Sequence, residues 1–120
     1  MNKLIRSFKY AIAGIYALFR DERNAKIHLV AAVLVIVAGL ALGITRIEWC
    51  FIFFAIALVL ITEAINTAIE ETVNSISEER KPQLGKIKDI AAGAVLIAAV
   101  LALLIAAFIL IPYVVNVHQL

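Results

Sequence analysis

The sequence predicts an all-α integral membrane protein, with an N-terminal amphipathic helix on the membrane surface followed by three transmembrane helices. Three observations carry this. Of 120 residues, 64% are hydrophobic and the mean hydropathy is +1.02, whereas soluble domains are about 45–50% apolar. Residues 27–45, 49–62 and 90–120 contain no Lys, Arg, Asp or Glu, and each is a candidate span. The basic residues are unevenly placed: six precede the first span (Lys3, Arg6, Lys9, Arg20, Arg23, Lys26), Arg46 alone lies in the first connection, and Arg80, Lys81, Lys86 and Lys88 lie in the second. By the positive-inside rule the N-terminus and second connection are expected in the cytoplasm, with the C-terminus outward.

The surface helix is expected over about residues 4–20. Ile5, Phe8, Ile12, Ile15 and Phe19 recur at helical spacing, while Lys3, Arg6, Lys9 and Arg20 fall largely off that stripe. A cleaved signal peptide is rejected because Lys9 interrupts the stretch where its apolar core would stand. The run "RDERNAKIH" reads as a polar joint, and His28 as a hydrogen-bonding residue at the membrane boundary. No second His or Cys stands at ligand spacing to make it a metal ligand.

The first span is expected over about 27–45. Its Gly39 and Gly43 form a GxxxG arrangement, and Ala94, Ala98, Ala102 and Ala106 stand one turn apart in the third span, over about 90–113. Both patterns favour close helix packing. The single Cys50 excludes an internal disulfide. Residues 75–88, with Pro82, Gly85 and dense charge, read as a cytoplasmic loop. Three helices alone enclose a polar site poorly, so self-association is expected. A nucleic-acid partner is not suggested.

The middle span is the informative one. Its charge-free part has 14 residues, about 21 Å of helix against roughly 30 Å of hydrocarbon. The missing length must come from the cytoplasmic end, which extends the span to about 48–69. Glu63 and Asn66 then lie inside or at the edge of the hydrocarbon, with Glu70 at headgroup level. Positions 63, 66, 67, 70 and 74 share one helix face, and Glu71 points elsewhere as a solvated charge. A carboxylate inside the bilayer costs roughly 2.5–3.5 kcal/mol, less near its edge, so Glu63 needs a partner or a purpose. Three readings stay open: helix-to-helix glue in a non-catalytic assembly, a small ion carrier coupled through Glu63, or a site where a deeper acid serves as base and a shallower one holds a hard cation. The last would suit phosphoryl transfer to a lipid. Lys86 and Lys88 supply positive charge where the third span begins. A P-loop is absent, since Gly85-Lys86 is followed by Ile87 and Arg80 stands where the first Gly should be.

The motifs "ERN" with "KIH" (Glu22 to His28), "EAINTAIE" (Glu63 to Glu70) and "KDIAAGAV" (Lys88 to Val95), in that order, resemble those of the prokaryotic diacylglycerol kinase family, which includes the undecaprenol kinases. The resemblance implies one lipid kinase domain over residues 1–120, assembled as a homotrimeric bundle in the bacterial plasma membrane, that transfers the ATP γ-phosphate to a lipid hydroxyl with Mg²⁺. It further implies Glu63 as catalytic base, Glu22 and Glu70 as magnesium ligands, Lys88 and Asp89 as nucleotide contacts, and Asn66 as a supporting residue. More nucleotide contacts would fall at Lys3, Tyr10 and around Glu79 to Lys81, and lipid contacts at Asn24, Glu63 and Ala92. Undecaprenol is slightly preferred over diacylglycerol as substrate. One departure stands out: Asn74 occupies a position where the family usually has Asp, which removes a negative charge but keeps hydrogen-bonding capacity.

Overall fold

The structure, a computed structural model, describes residues 2–77, 79 and 81–119. It contains four helices: α1 (Asn2–Asp21), α2 (Arg23–Leu42), α3 (Arg46–Ile76) and α4 (Pro82–Gln119). The last three are long and apolar enough to cross a membrane. Helix α1 has no buried residue, as expected of a helix whose apolar stripe faces lipid instead of protein. The helices run longer than the apolar segments alone suggest. Helix α3 has 31 residues, about 46 Å at 1.5 Å per residue, so it exceeds a hydrocarbon thickness of roughly 30 Å without a break. The connection expected over 75–88 shrinks accordingly, because α3 continues to Ile76 and α4 starts at Pro82. A proline suits a first helical position, where its missing N–H has no intrahelical partner to lose.

Helix α3 is the axis of packing. Its buried residues are Ile52, Ala55, Val59, Glu63, Asn66 and Val73, spaced by three, four or seven, so they form one continuous stripe. Facing helices meet it with small residues: Ala25, Ala32 and Gly39 are the buried residues of α2, and Ala91 and Ala98 are buried on α4. Each set repeats every seven residues, which brings backbones close along a shared seam. Of the alanine ladder in the third span, Ala98 packs in this way, while Ala94 is exposed and Ala102 and Ala106 border a groove. Large apolar side chains remain uncovered, including Ile97 and Phe108, 73% and 80% exposed; lipid or further copies of the chain would cover them.

The two glycines of the GxxxG arrangement do different work. Gly39 is a packing position, since a Cβ there would stand 2.8 Å from the ring of Trp49 and 3.1 Å from Ile44. Gly43 instead ends α2 in the left-handed region at φ 65°, donating its N–H to the Gly39 carbonyl, a conformation that favours glycine. This is why the first span stops at Leu42 and not at Thr45. Helix α3 begins at once through a capping box: Thr45 Oγ1 accepts from the Glu48 N–H at 3.2 Å, and Glu48 Oε1 accepts from the Thr45 N–H at 2.9 Å. The Tyr113 hydroxyl also donates to Glu48, which ties α4 to the same corner.

Trp49 is the single tryptophan, so its fluorescence reports this corner directly. The substitution Gly39→Leu is expected to lower stability by about 1–3 kcal/mol through overpacking and to shift the Trp49 emission. Gly14→Ala, in open space on α1, is expected to leave thermal unfolding unchanged or slightly raised. Equal unfolding temperatures for Gly39→Leu and the unchanged protein would contradict the packing role.

Candidate active site on the polar end of helix α3

The buried stripe of α3 turns from hydrocarbon to polar without leaving the interior. Glu63 is 2% exposed and Asn66 6%. Helix α2 supplies the basic partner of Glu63: His28 Nε2 stands 3.7 Å from Glu63 Oε2. His28 follows Ala25 by three residues and precedes Ala32 by four, so it lies on the face of α2 that packs against α3. Spacing within one helix could not reveal this pair. For His28, expected from the sequence to be a hydrogen-bonding residue at the membrane boundary, Glu63 is a specific counterpart.

One turn further along α3, Asn66 Nδ2 donates to Glu70 Oε1 at 3.4 Å. The other amide atom, Asn66 Oδ1, is buried without a hydrogen-bond partner, as is Thr67 Oγ1. Buried polar atoms are normally paired, so such an acceptor marks a place where a ligand group can donate. Thr62 offers nothing comparable, because its hydroxyl is spent on the Leu58 and Val59 carbonyls.

Glu22 occupies the corner between α1 and α2. It is the residue outside both helices, in extended conformation as the N-cap of α2, and its side chain makes no capping hydrogen bond. Its neighbour Asp21 is committed: Arg20 donates to both carboxylate oxygens at 2.8 and 3.0 Å and holds the Asp21 carboxyl below the usual carboxylate range. Glu22 and Glu70 both lie within electrostatic reach of Glu63. Among the described residues no three His, Cys, Asp or Glu side chains converge to hold a metal by themselves. A magnesium ion commonly takes only one or two carboxylates together with substrate phosphates, and Glu22 and Glu70 carry hard oxygen atoms of that type. Glu22 and Glu71 also border a hollow of about 530 Å³ between α1 and α3.

A second cluster forms where α3 meets α4. Lys88 Nζ donates to Asn74 Oδ1 at 2.9 Å, and a cleft of about 670 Å³ opens there, lined by Asn74, Glu79, Lys81, Lys86, Lys88 and Asp89 among others. These six residues, all singled out in the sequence, thus come together. Lys3 and Tyr10 do not line this cleft; they stand on α1, with Tyr10 70% exposed. Asn24 is exposed on the first turn of α2 and Ala92 on α4. Arg80 lies outside the described residues.

The description of the prokaryotic diacylglycerol kinase family matches residues 9–110. The chain belongs to the prokaryotic diacylglycerol kinase family. It is therefore a lipid kinase, and membership implies ATP as phosphoryl donor. An undecaprenol kinase of Bacillus subtilis is 39% identical over 97 residues, covering 81% of this chain and 79% of its own. A diacylglycerol kinase of Synechocystis is 37% identical over 110 residues, 91% of this chain and 63% of its own. A diacylglycerol kinase of Escherichia coli is 30% identical over 96 residues, 80% and 79% of the respective chains.

A buried polar side chain whose acceptor has no partner adds little to the stability of a packing seam. Asn66→Leu, which removes the unpaired amide oxygen, is expected to leave the unfolding temperature in detergent unchanged or raised. Lipid kinase activity is expected to fall at least about tenfold if that buried acceptor receives a substrate hydrogen bond. A large drop in unfolding temperature with activity retained would contradict this.

Proposed function

We propose that this protein transfers the γ-phosphate of ATP to the hydroxyl of a membrane lipid, with undecaprenol preferred over diacylglycerol, and that it does so as a homotrimer at the cytoplasmic face of the bacterial plasma membrane. The observation that carries the reading is Glu63: a carboxylate 2% exposed in a helix seam, paired with His28 and within reach of Glu22 and Glu70. A soluble acceptor would not require a base at that depth, whereas a lipid alcohol brings its hydroxyl there.

In this mechanism Glu63 takes the proton of the lipid O–H as the lipid oxygen bonds to the γ-phosphorus. The bond from γ-phosphorus to the bridging oxygen breaks, and ADP leaves with the electron pair. Glu22 and Glu70 would hold Mg²⁺, which when bound neutralises phosphate charge. Asn66 holds Glu70 in place. The α3–α4 cleft seats the nucleotide: Lys88 and Lys81 face its phosphates, and Asp89 and Glu79 its remaining polar groups. Lys3 and Tyr10 would join from α1, and Asn24 and Ala92 would border the lipid.

Asn74 has a defined part here. It holds the Lys88 ammonium by a neutral oxygen, so the orientation normally given by an acid is kept while the cation stays uncompensated for phosphate. The undecaprenol preference is slight and is supported by the Bacillus subtilis undecaprenol kinase at 39% identity, against 37% for the Synechocystis and 30% for the Escherichia coli diacylglycerol kinase. The trimer is supported by the apolar surface one chain leaves uncovered, and the orientation by the basic bias of one side.

Protein purified into lipid with magnesium and γ-labelled ATP, offered undecaprenol and diacylglycerol together, is expected to label undecaprenol several-fold more. Label only in diacylglycerol would reverse the preference, and label in neither would overturn the lipid acceptor. Asn74→Ala is expected to raise the KM for MgATP about three- to tenfold, at the low end for hydrogen bonds to charged groups because this pair is exposed. An unchanged KM would remove Asn74 from nucleotide positioning.

A further inference from the structure

We propose that His28 is a positioning residue for Glu63: its imidazole engages one carboxylate oxygen, Oε2, and thereby leaves Oε1 directed at the lipid hydroxyl. The inference rests on the kinase reading above, and it assigns a function to a side chain on α2 that the mechanism otherwise leaves unused.

Burial sets the requirement. A carboxylate removed from water must be compensated, and in a low-dielectric seam an isolated negative charge is strongly disfavoured. His28 Nε2, 3.7 Å from Glu63 Oε2, is the side-chain group of α2 that meets this buried carboxyl. The basic residues nearest His28 along α2, Arg23 and Lys26, are both exposed, so they turn to solvent. His28 is itself mostly buried, with 23% of its side chain exposed, between Ala25 at 0% and Ala32 at 8%. Those two alanines let the α2 backbone approach α3 closely enough for the short imidazole to reach the acid.

His28 also lines an apolar groove of about 200 Å³ between α2, α3 and α4, together with residues such as Ala31, Val35, Ala55 and Ala99. No water-like polar surface in that lining can replace the imidazole. A planar ring with two rotatable bonds also fixes the carboxylate more tightly than a long ammonium chain would. A general base needs this, because an orientation error of about 1 Å can cost roughly a hundredfold in rate.

The test uses the full chain in lipid with MgATP, undecaprenol and diacylglycerol. His28→Ala and His28→Leu are expected to lower kcat about 10- to 100-fold while the KM for MgATP stays within about twofold, the signature of lost alignment and not of lost nucleotide binding. His28→Gln, which keeps an N–H donor, should retain several-fold more activity than His28→Leu. Added imidazole should restore His28→Ala several-fold and leave His28→Leu unchanged, because the leucine fills the space. Wild-type kcat in His28→Ala and His28→Leu overturns the proposal. So does a loss of kcat in His28→Ala that imidazole does not relieve, with His28→Gln as low as His28→Leu. An unchanged protein that phosphorylates no lipid alcohol overturns the kinase reading itself, a result visible before any variant is compared.

Discussion

The seam along α3 constrains everything else in the molecule. Ile52, Ala55, Val59, Glu63, Asn66 and Val73 belong to one buried stripe, so the residues that pack the bundle and its two buried polar side chains share a single helix face. The stripe cannot rotate to release Glu63 to water without exposing Ile52 and Val59 to the same extent and opening the contacts with Ala32 and Ala98. The acid is held in place by hydrocarbon packing on its own helix. Rigid elements position catalytic groups better than loops do, and here the element is a helix of about 46 Å anchored on both sides of the site.

That anchoring has two ends. At one, the Gly39–Trp49 contact, the Gly43 cap and the Thr45–Glu48 capping box set where α2 stops and α3 starts, while Tyr113 ties in α4. At the other, Lys88 and Asn74 join α3 to α4 across a short connection. Between them the seven-residue repeat of small residues fixes the register of α2 against α3, and register decides whether His28 meets Glu63. A slip of one residue would turn His28 about 100° around the helix axis and away from the acid.

Much of this was legible in the sequence, for identifiable reasons. Fourteen apolar residues could not span a bilayer, and that shortfall alone placed Glu63 and Asn66 inside the helix and at membrane depth. The shared face of 63, 66 and 70 followed from helical spacing, and the buried pair Glu63 and Asn66 bears it out. Other features depended on contacts between helices and were not readable. His28 and Glu63 stand on different helices, so no local pattern links them. Gly43 looked like half of a packing motif because left-handed backbone leaves no mark beyond the glycine itself. The loop expected over 75–88 was too long because its charges and glycine resembled a turn, although most of those residues continue α3 or begin α4. Asn74 drew notice as a missing charge, but its hold on Lys88 became visible only with the α3–α4 connection in place.

If Glu63 is a base kept in position by packing, proton acceptance and structure are separable at that side chain. Glu63→Gln preserves size and hydrogen bonding but cannot take a proton. In lipid with MgATP, kcat for lipid phosphorylation is expected to fall by about 10²- to 10⁴-fold, with assembly, unfolding temperature and MgATP binding retained. Phosphorylation near the level of the unchanged protein, or loss of activity together with loss of fold and assembly, would contradict it.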